Sequence, residues 1–139
     1  MNKRQQESLA STDPYEAQIR VRYAECDAMG LLHHAKYWEY FEEVRTHLLR
    51  DRGTRYRDLE AQGVFFVVYK CMCVYRQPIR YDDVVTVRTW VTRITRTRVD
   101  HAYQIDRDGL TCCEATTTLA CVDREGKPMV MPEHMWPDV

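Results

Sequence analysis

Apolar and polar positions along the chain change period in a way that marks one long helix and about five strands. Residues 15–23 alternate, with Ile19, Val21 and Tyr23 set against Arg20 and Arg22, the period of a strand with one polar face. Residues 24–30 break that alternation and end on a turn at Gly30. Tyr37, Phe41, Val44 and Leu48 then recur at spacings of four, three and four, which predicts a helix over residues 36–50. Tyr40 and Leu49 widen its apolar stripe, while Glu39, Glu42, Glu43, Arg45 and Arg50 stay wet, Glu42 and Arg45 as a solvated or inter-subunit ion pair. Gly53 stops the helix.

Residues 55–62 hold at most a short helical turn. The stretch 64–75 is apolar at almost every position, from Val64, Phe65, Phe66, Val67 and Val68 to Val74 and Tyr75, which predicts a strand with both faces covered. Residues 84–94 are rich in Val and Thr, residues 98–105 alternate through Val99, His101, Tyr103 and Ile105, and residues 111–122 form a last long strand. Turn signals at 106–109 and 123–126 leave short connections, so these strands pair antiparallel. No second long helix is there to cover the other face. The sheet curls around the single helix, or its outer face meets a second subunit, and the doubly apolar 64–75 strand favours both.

Composition narrows the class. With 139 residues, 45% hydrophobic and 29% charged, the chain makes one folded domain over residues 14–139 behind a polar leader, residues 1–13. A net charge of −1 argues against nucleic acid as a partner. No apolar run approaches the roughly 18–20 residues that span a bilayer, and the first twelve residues have no apolar signal core, so a cytoplasmic protein is expected. Six cysteines without a C-x-x-C pair read as buried reduced thiols rather than as a disulfide or zinc framework. Adjacent His33 and His34 rarely aim at one ion, so neither metal nor cofactor is expected.

Chemistry concentrates before the helix. Asp27 sits in a loop, Gly30 follows, and the helix begins a few residues later. The first amides of a helix have no partner within it and lie at the positive end of its dipole. A carboxylate beside such amides is a minimal acyl-transfer arrangement, although an Asp before a helix is by itself more often a turn or cap residue.

The stretch Arg22-Tyr23-Ala-Glu-Cys-Asp27-Ala-Met-Gly30-Leu-Leu-His33-His34-Ala-Lys-Tyr37, with Phe41, Glu42 and Arg45 downstream, resembles the signature of the 4-hydroxybenzoyl-CoA thioesterase family, most closely its Tol–Pal-associated branch. Residues 74–83, Val-Tyr-Arg-Gln-Pro-Ile-Arg-Tyr-Asp-Asp, resemble the family's second recurring element. The resemblance implies an α+β hotdog fold, an antiparallel sheet of about five strands wrapped around one long helix and assembled as a homodimer or homotetramer. It implies hydrolysis of acyl-CoA, with an acyl carrier protein thioester as the alternative substrate and a non-catalytic acyl-binding module as the rival class. Asp27 falls on the family's catalytic carboxylate, as nucleophile or general base, with Gly30 in the same set. His34 falls where a backbone amide at the helix start holds the thioester oxygen. Tyr23, His33 and Tyr37 are implied to line the substrate. Arg93, Arg96 and Arg98, around a hairpin, are candidates for the phosphates of coenzyme A. Met29, His33 and Lys36 depart from the branch's common residues beside the acyl pocket, which leaves acyl preference open.

Overall fold

The inward-facing apolar positions of the strands gather on one side of one sheet. The computed structural model describes residues 13–136; apart from Asp13, the leader expected over residues 1–13 lies outside the described residues. The elements are β1 (Tyr15–Arg20), α1 (His34–Asp51), α2 (Tyr56–Ala61), β2 (Phe65–Tyr75), β3 (Val84–Ile94), β4 (Arg98–Arg107) and β5 (Leu110–Val122). The strands form one antiparallel sheet in the order β1-β3-β4-β5-β2. This is the expected hotdog arrangement. Asp108 and Gly109, both at positive φ (51° and 76°), make the tight turn from β4 to β5.

The helix stripe reads as predicted. Tyr37, Tyr40, Phe41, Val44 and Leu48 are all buried, most of them against Val85 and Val87 of β3, Tyr103 and Ile105 of β4, and Cys113 of β5. Burying such side chains contributes about 1.5–3 kcal/mol each. The helix starts at His34, two residues earlier than the periodicity places it, because the His33 ring caps it: Nδ1 accepts from the Ala35 amide at 3.1 Å.

Two expectations change. β2 is an edge strand, paired only with β5, and α1 lies closest to β1 and β3. β2 therefore overhangs the helix, and Val67, Val68, Tyr69, Met72, Val74 and Tyr75 are exposed rather than covered within one protomer. For the same reason not all thiols are buried: Cys112, Cys113 and Cys121 are, but Cys71 on β2 is exposed. The Sγ atoms of Cys73 and Cys113 lie 3.1 Å apart across the β2–β5 pair.

One buried polar cluster ties the loop before α1 to the helix. Glu25, 6% exposed, ends a short 3-10 turn, Tyr23–Glu25. Its Oε1 accepts from the Tyr40 hydroxyl at 2.7 Å and from the Arg22 amide at 2.9 Å, and the Arg22 guanidinium reaches Oε2 at 3.4 Å. The Glu25 carbonyl accepts from the His33 amide at 2.9 Å. Burial alone would raise the Glu25 pKa; the Arg22 amide, the Tyr40 hydroxyl and the Arg22 charge outweigh it and hold the carboxyl below its usual 4.5. A depressed carboxyl pKa contributes stability that is present above the usual value and is lost as pH falls through the lowered one. Tyr40→Phe is therefore expected to cost about 1.5–3 kcal/mol at pH 7, read by urea unfolding. The gap from wild type should narrow as pH falls below the usual 4.5 and through the lowered value; a gap that is unchanged at acid pH contradicts the clamp.

Candidate active site

Residues 26–32 form a miniature hairpin standing on the Glu25 clamp. Cys26 bridges to Leu32, the Asp27 amide donates to the Leu31 carbonyl at 2.8 Å, and the Gly30 amide donates to the Asp27 carbonyl at 3.0 Å. Gly30 closes the turn at φ 77°, a region costly for any side chain. The hairpin is also pinned from outside: Leu32 donates to the Ile79 carbonyl at 2.7 Å, and Leu31 bridges to Arg80 in the β2–β3 connection.

Asp27 stands exposed at the tip. Its Oδ1 accepts from the Met29 amide at 2.8 Å and the Leu31 amide at 3.1 Å. The two oxygens thus stand in different surroundings. Oδ1 holds the loop, while Oδ2 has no donor among the described residues and is available to a water or a carbonyl carbon.

At the helix start, nearly every backbone donor is used. His33 donates to Glu25, Ala35 donates to the His33 ring, and Lys36 donates to the His33 carbonyl at 2.8 Å. The His34 amide is the exception, with no acceptor among the described residues, at the positive end of an 18-residue helix. The rings of His33 and His34 stack, exposed, with centroids 4.2 Å apart.

The remaining predicted residues divide. Tyr23, 79% exposed, meets Tyr81 edge-on at 5.6 Å beside the loop. Tyr81 was not legible as a site neighbour; its amide donates to the Gly30 carbonyl at 3.3 Å, a contact made only by folding. Tyr37 is buried, packed edge-on against Tyr75 at 4.9 Å, and burial pushes its phenol far above the usual range. Arg93 and Arg98 line one surface hollow with Lys70 and Tyr69, and the Arg98 guanidinium sits 4.5 Å from the Tyr69 ring centre. Arg96 leaves that pair and stacks on Trp136 at 4.1 Å. These arginines lie at the far end of β3 from the Asp27 hairpin, about 30 Å along the strand, so one protomer does not bring them to Asp27. Within one protomer Glu42 and Arg45 do not pair either. Arg45 has no carboxylate within ion-pair distance among the described residues, and its charge acts on His101 and Tyr103.

This arrangement, a half-free carboxylate beside an unpartnered helix amide, suits attack on a carbonyl whose oxygen needs a donor. Comparison with known proteins points the same way. The family model described as "Thioesterase-like superfamily" matches residues 21–137. The chain is 33% identical over 119 residues to the acyl-CoA thioesterase YbgC of Haemophilus influenzae, covering 84% of this chain and 88% of that one. It is 32% identical over 119 residues to the acyl-CoA thioester hydrolase YbgC of Escherichia coli O157:H7, covering 84% and 89%. The crystal structure of DHNA-CoA thioesterase from Staphylococcus aureus superposes with a TM-score of 0.81 at 32% identity, over 84% of this chain and 80% of that one. With its one long helix, its antiparallel sheet and its Asp27 hairpin, the chain belongs to the thioesterase-like superfamily.

Proposed function

We propose that the chain hydrolyses acyl-CoA thioesters at the Asp27 hairpin, with Asp27 supplying the carboxylate and the His34 amide holding the thioester oxygen. The observation that carries this reading is the division of Asp27 into one oxygen fixed by the Met29 and Leu31 amides and one left without a donor. Either Oδ2 attacks the thioester carbon, breaking the C–S bond to expel the coenzyme A thiolate and leaving a mixed anhydride that water hydrolyses to the acid and free Asp27, or it takes a proton from a water that attacks the carbon and expels the same thiolate. In either route the negative charge that develops on the carbonyl oxygen meets the His34 N–H and the helix dipole behind it. Tyr23 and His33 line the approach. The relatives named as acyl-CoA thioester hydrolases support coenzyme A as the leaving group.

The same reading makes the enzyme a homo-oligomer. β2 is 11 residues of apolar edge with Tyr69 at 62% and Met72 at 57% exposure. An unpaired edge of that length invites a strand, and a second copy's β2, related by a twofold axis, covers it in both subunits at once. That union also gives Arg93 and Arg98 a route to a neighbour's substrate. A cytoplasmic location fits six free thiols, which reducing conditions preserve.

Three outcomes follow. Asp27→Asn keeps an oxygen for both loop amides but loses the charge. Its melting temperature should match wild type while thiol release from a panel of short, long and aromatic acyl-CoAs drops about 10²–10⁴-fold; full activity contradicts the assignment. His34→Pro removes the N–H at the one helical position where proline is tolerated, following a His33 already at ψ 137°. It should lower kcat about 10²–10³-fold with the fold intact, whereas His34→Ala, which keeps the amide, should lose far less. Met72→Lys should shift the sedimentation coefficient towards the monomer; an unchanged assembly places the interface elsewhere.

A further inference from the structure

Two of the six thiols meet at the open edge of the sheet. Cys73 on β2 and Cys113 on β5 have their Sγ atoms 3.1 Å apart. The register sets Cys73 opposite Ala115 and Tyr75 opposite Cys113, so the two cysteines are diagonal neighbours on the face turned towards α1. Their exposure differs. Cys113 is fully buried, while Cys73 is half-buried on an edge strand with one neighbour in the protomer. The Tyr75 side chain hydrogen-bonds to Cys73. Its ring also packs edge-on against Tyr37, 4.9 Å away in the first turn of α1. The pair therefore lies one ring away from the helical turn that opens with His34.

The surroundings separate the two sulfurs. Hydrogen bonds from the Cys113 thiol and the Tyr75 hydroxyl outweigh burial and hold the Cys73 thiol below its usual 9.0. The same bond to Cys73, together with burial, pushes the Cys113 thiol up. An accessible sulfur with thiolate character beside a buried, protonated thiol is the arrangement in which a first oxidation is resolved within the protein. We propose that Cys73 and Cys113 are a peroxide-sensitive pair that closes to a reversible disulfide and slows hydrolysis at the Asp27 site. The Cys73 thiolate attacks one oxygen of hydrogen peroxide. The O–O bond breaks, hydroxide leaves, and Cys73 becomes a sulfenic acid. The Cys113 sulfur then attacks the Cys73 sulfur: the S–S bond forms, the S–O bond breaks, and the hydroxyl leaves as water with the Cys113 proton. The earlier hydroxide takes up the proton that Cys73 had released, so two thiols are oxidised by two electrons and one peroxide is reduced to two waters. Closing the bond brings the sulfurs about 1 Å nearer, and a diagonal pair stands at the upper limit of the spacing that a disulfide spans. β2 takes up the movement and carries Tyr75 against Tyr37. A disulfide strained in this way is readily reopened by thiol reductants. The slowing rests on the Asp27 reading above; the cross-link does not.

Treating the intact protein with a small molar excess of hydrogen peroxide, then with catalase, alkylating the free thiols and mapping the peptides by mass spectrometry tests this. Alkylated thiols should fall from six to four, a Cys73–Cys113 peptide pair should appear, and dithiothreitol should reverse both changes. Hydrolysis of acyl-CoA, read by loss of thioester absorbance, should fall at least about threefold and return on reduction, since a displacement of about 1 Å in a reacting geometry can cost up to about 10². Cys73→Ser should form no bond and keep its rate through the treatment. Cys71→Ser, which removes an exposed thiol from the same strand, should respond as wild type does. Cys113→Ser should stop at the Cys73 sulfenic acid, trapped by dimedone; should that buried substitution misfold, the wild-type peptide map decides by itself. A Cys73 that peroxide leaves untouched, as when a second copy covers it, overturns the proposal. So does a bond from Cys73 to Cys112 in place of Cys113, or a Cys73–Cys113 bond that leaves the rate unchanged. A reduced protein that hydrolyses no acyl-CoA fails the Asp27 reading and the slowing with it, while the peptide map decides the cross-link independently.

Discussion

The Glu25 carboxylate decides where everything around Asp27 stands. It is buried, it is charged, and it is bonded at once to the Tyr40 hydroxyl inside α1 and to the Arg22 amide just before the 3-10 turn Tyr23–Glu25. Its own carbonyl takes the His33 amide and so ties the loop to the residue whose ring caps the helix. Removing a partner from such a group leaves a charge that the interior cannot solvate. The hairpin 26–32 is held between this cluster and the β2–β3 connection, where Leu32 donates to Ile79 and Tyr81 donates to Gly30, and its tip carries Asp27.

The consequence for chemistry is economy of donors. Around the helix start the amides of His33, Ala35 and Lys36 are all consumed by neighbours, and the Met29 and Leu31 amides are consumed by Asp27 Oδ1. At the helix start the His34 amide is left without an acceptor among the described residues, and on Asp27 the oxygen Oδ2 is left without a donor. A site that reacts with a carbonyl needs one group for each end of the C=O bond, and preorganised donors cost little reorganisation when charge develops. In the proposed reaction the loop acts by using up the alternatives.

Much of the fold was legible because it rests on local periods. The four-three-four stripe of Tyr37, Phe41, Val44 and Leu48 located α1, and the alternation of Val99, His101, Tyr103 and Ile105 located the inward face of β4. β2 shows what such patterns leave out. A strand apolar on both faces was read as covered on both faces, yet periodicity reports that burial is wanted and not what provides it; in one protomer the strand overhangs α1. Glu25 with Tyr40, fifteen residues apart, and Arg45 near His101 on β4 are meetings made by tertiary packing. Neither has a local signature. Arg45 looked like half of a surface pair with Glu42 because residues three apart share a helical face; the face they share borders a cavity instead. Asp27 itself became readable only through its resemblance to a family motif, since its loop bonds are those of an ordinary turn residue.

The central claim is that one thioester carbonyl is held between the His34 amide and Asp27 Oδ2. A crystal structure of the intact protein with a non-hydrolysable acyl-CoA analogue, in which a methylene replaces the thioester sulfur and leaves a ketone, tests it most directly. The account predicts the ketone oxygen about 2.7–3.2 Å from the His34 nitrogen, with the carbonyl carbon facing the free oxygen of Asp27. A ketone bound away from that amide, or one whose carbon no Asp27 side chain of either subunit reaches even through a water, contradicts it.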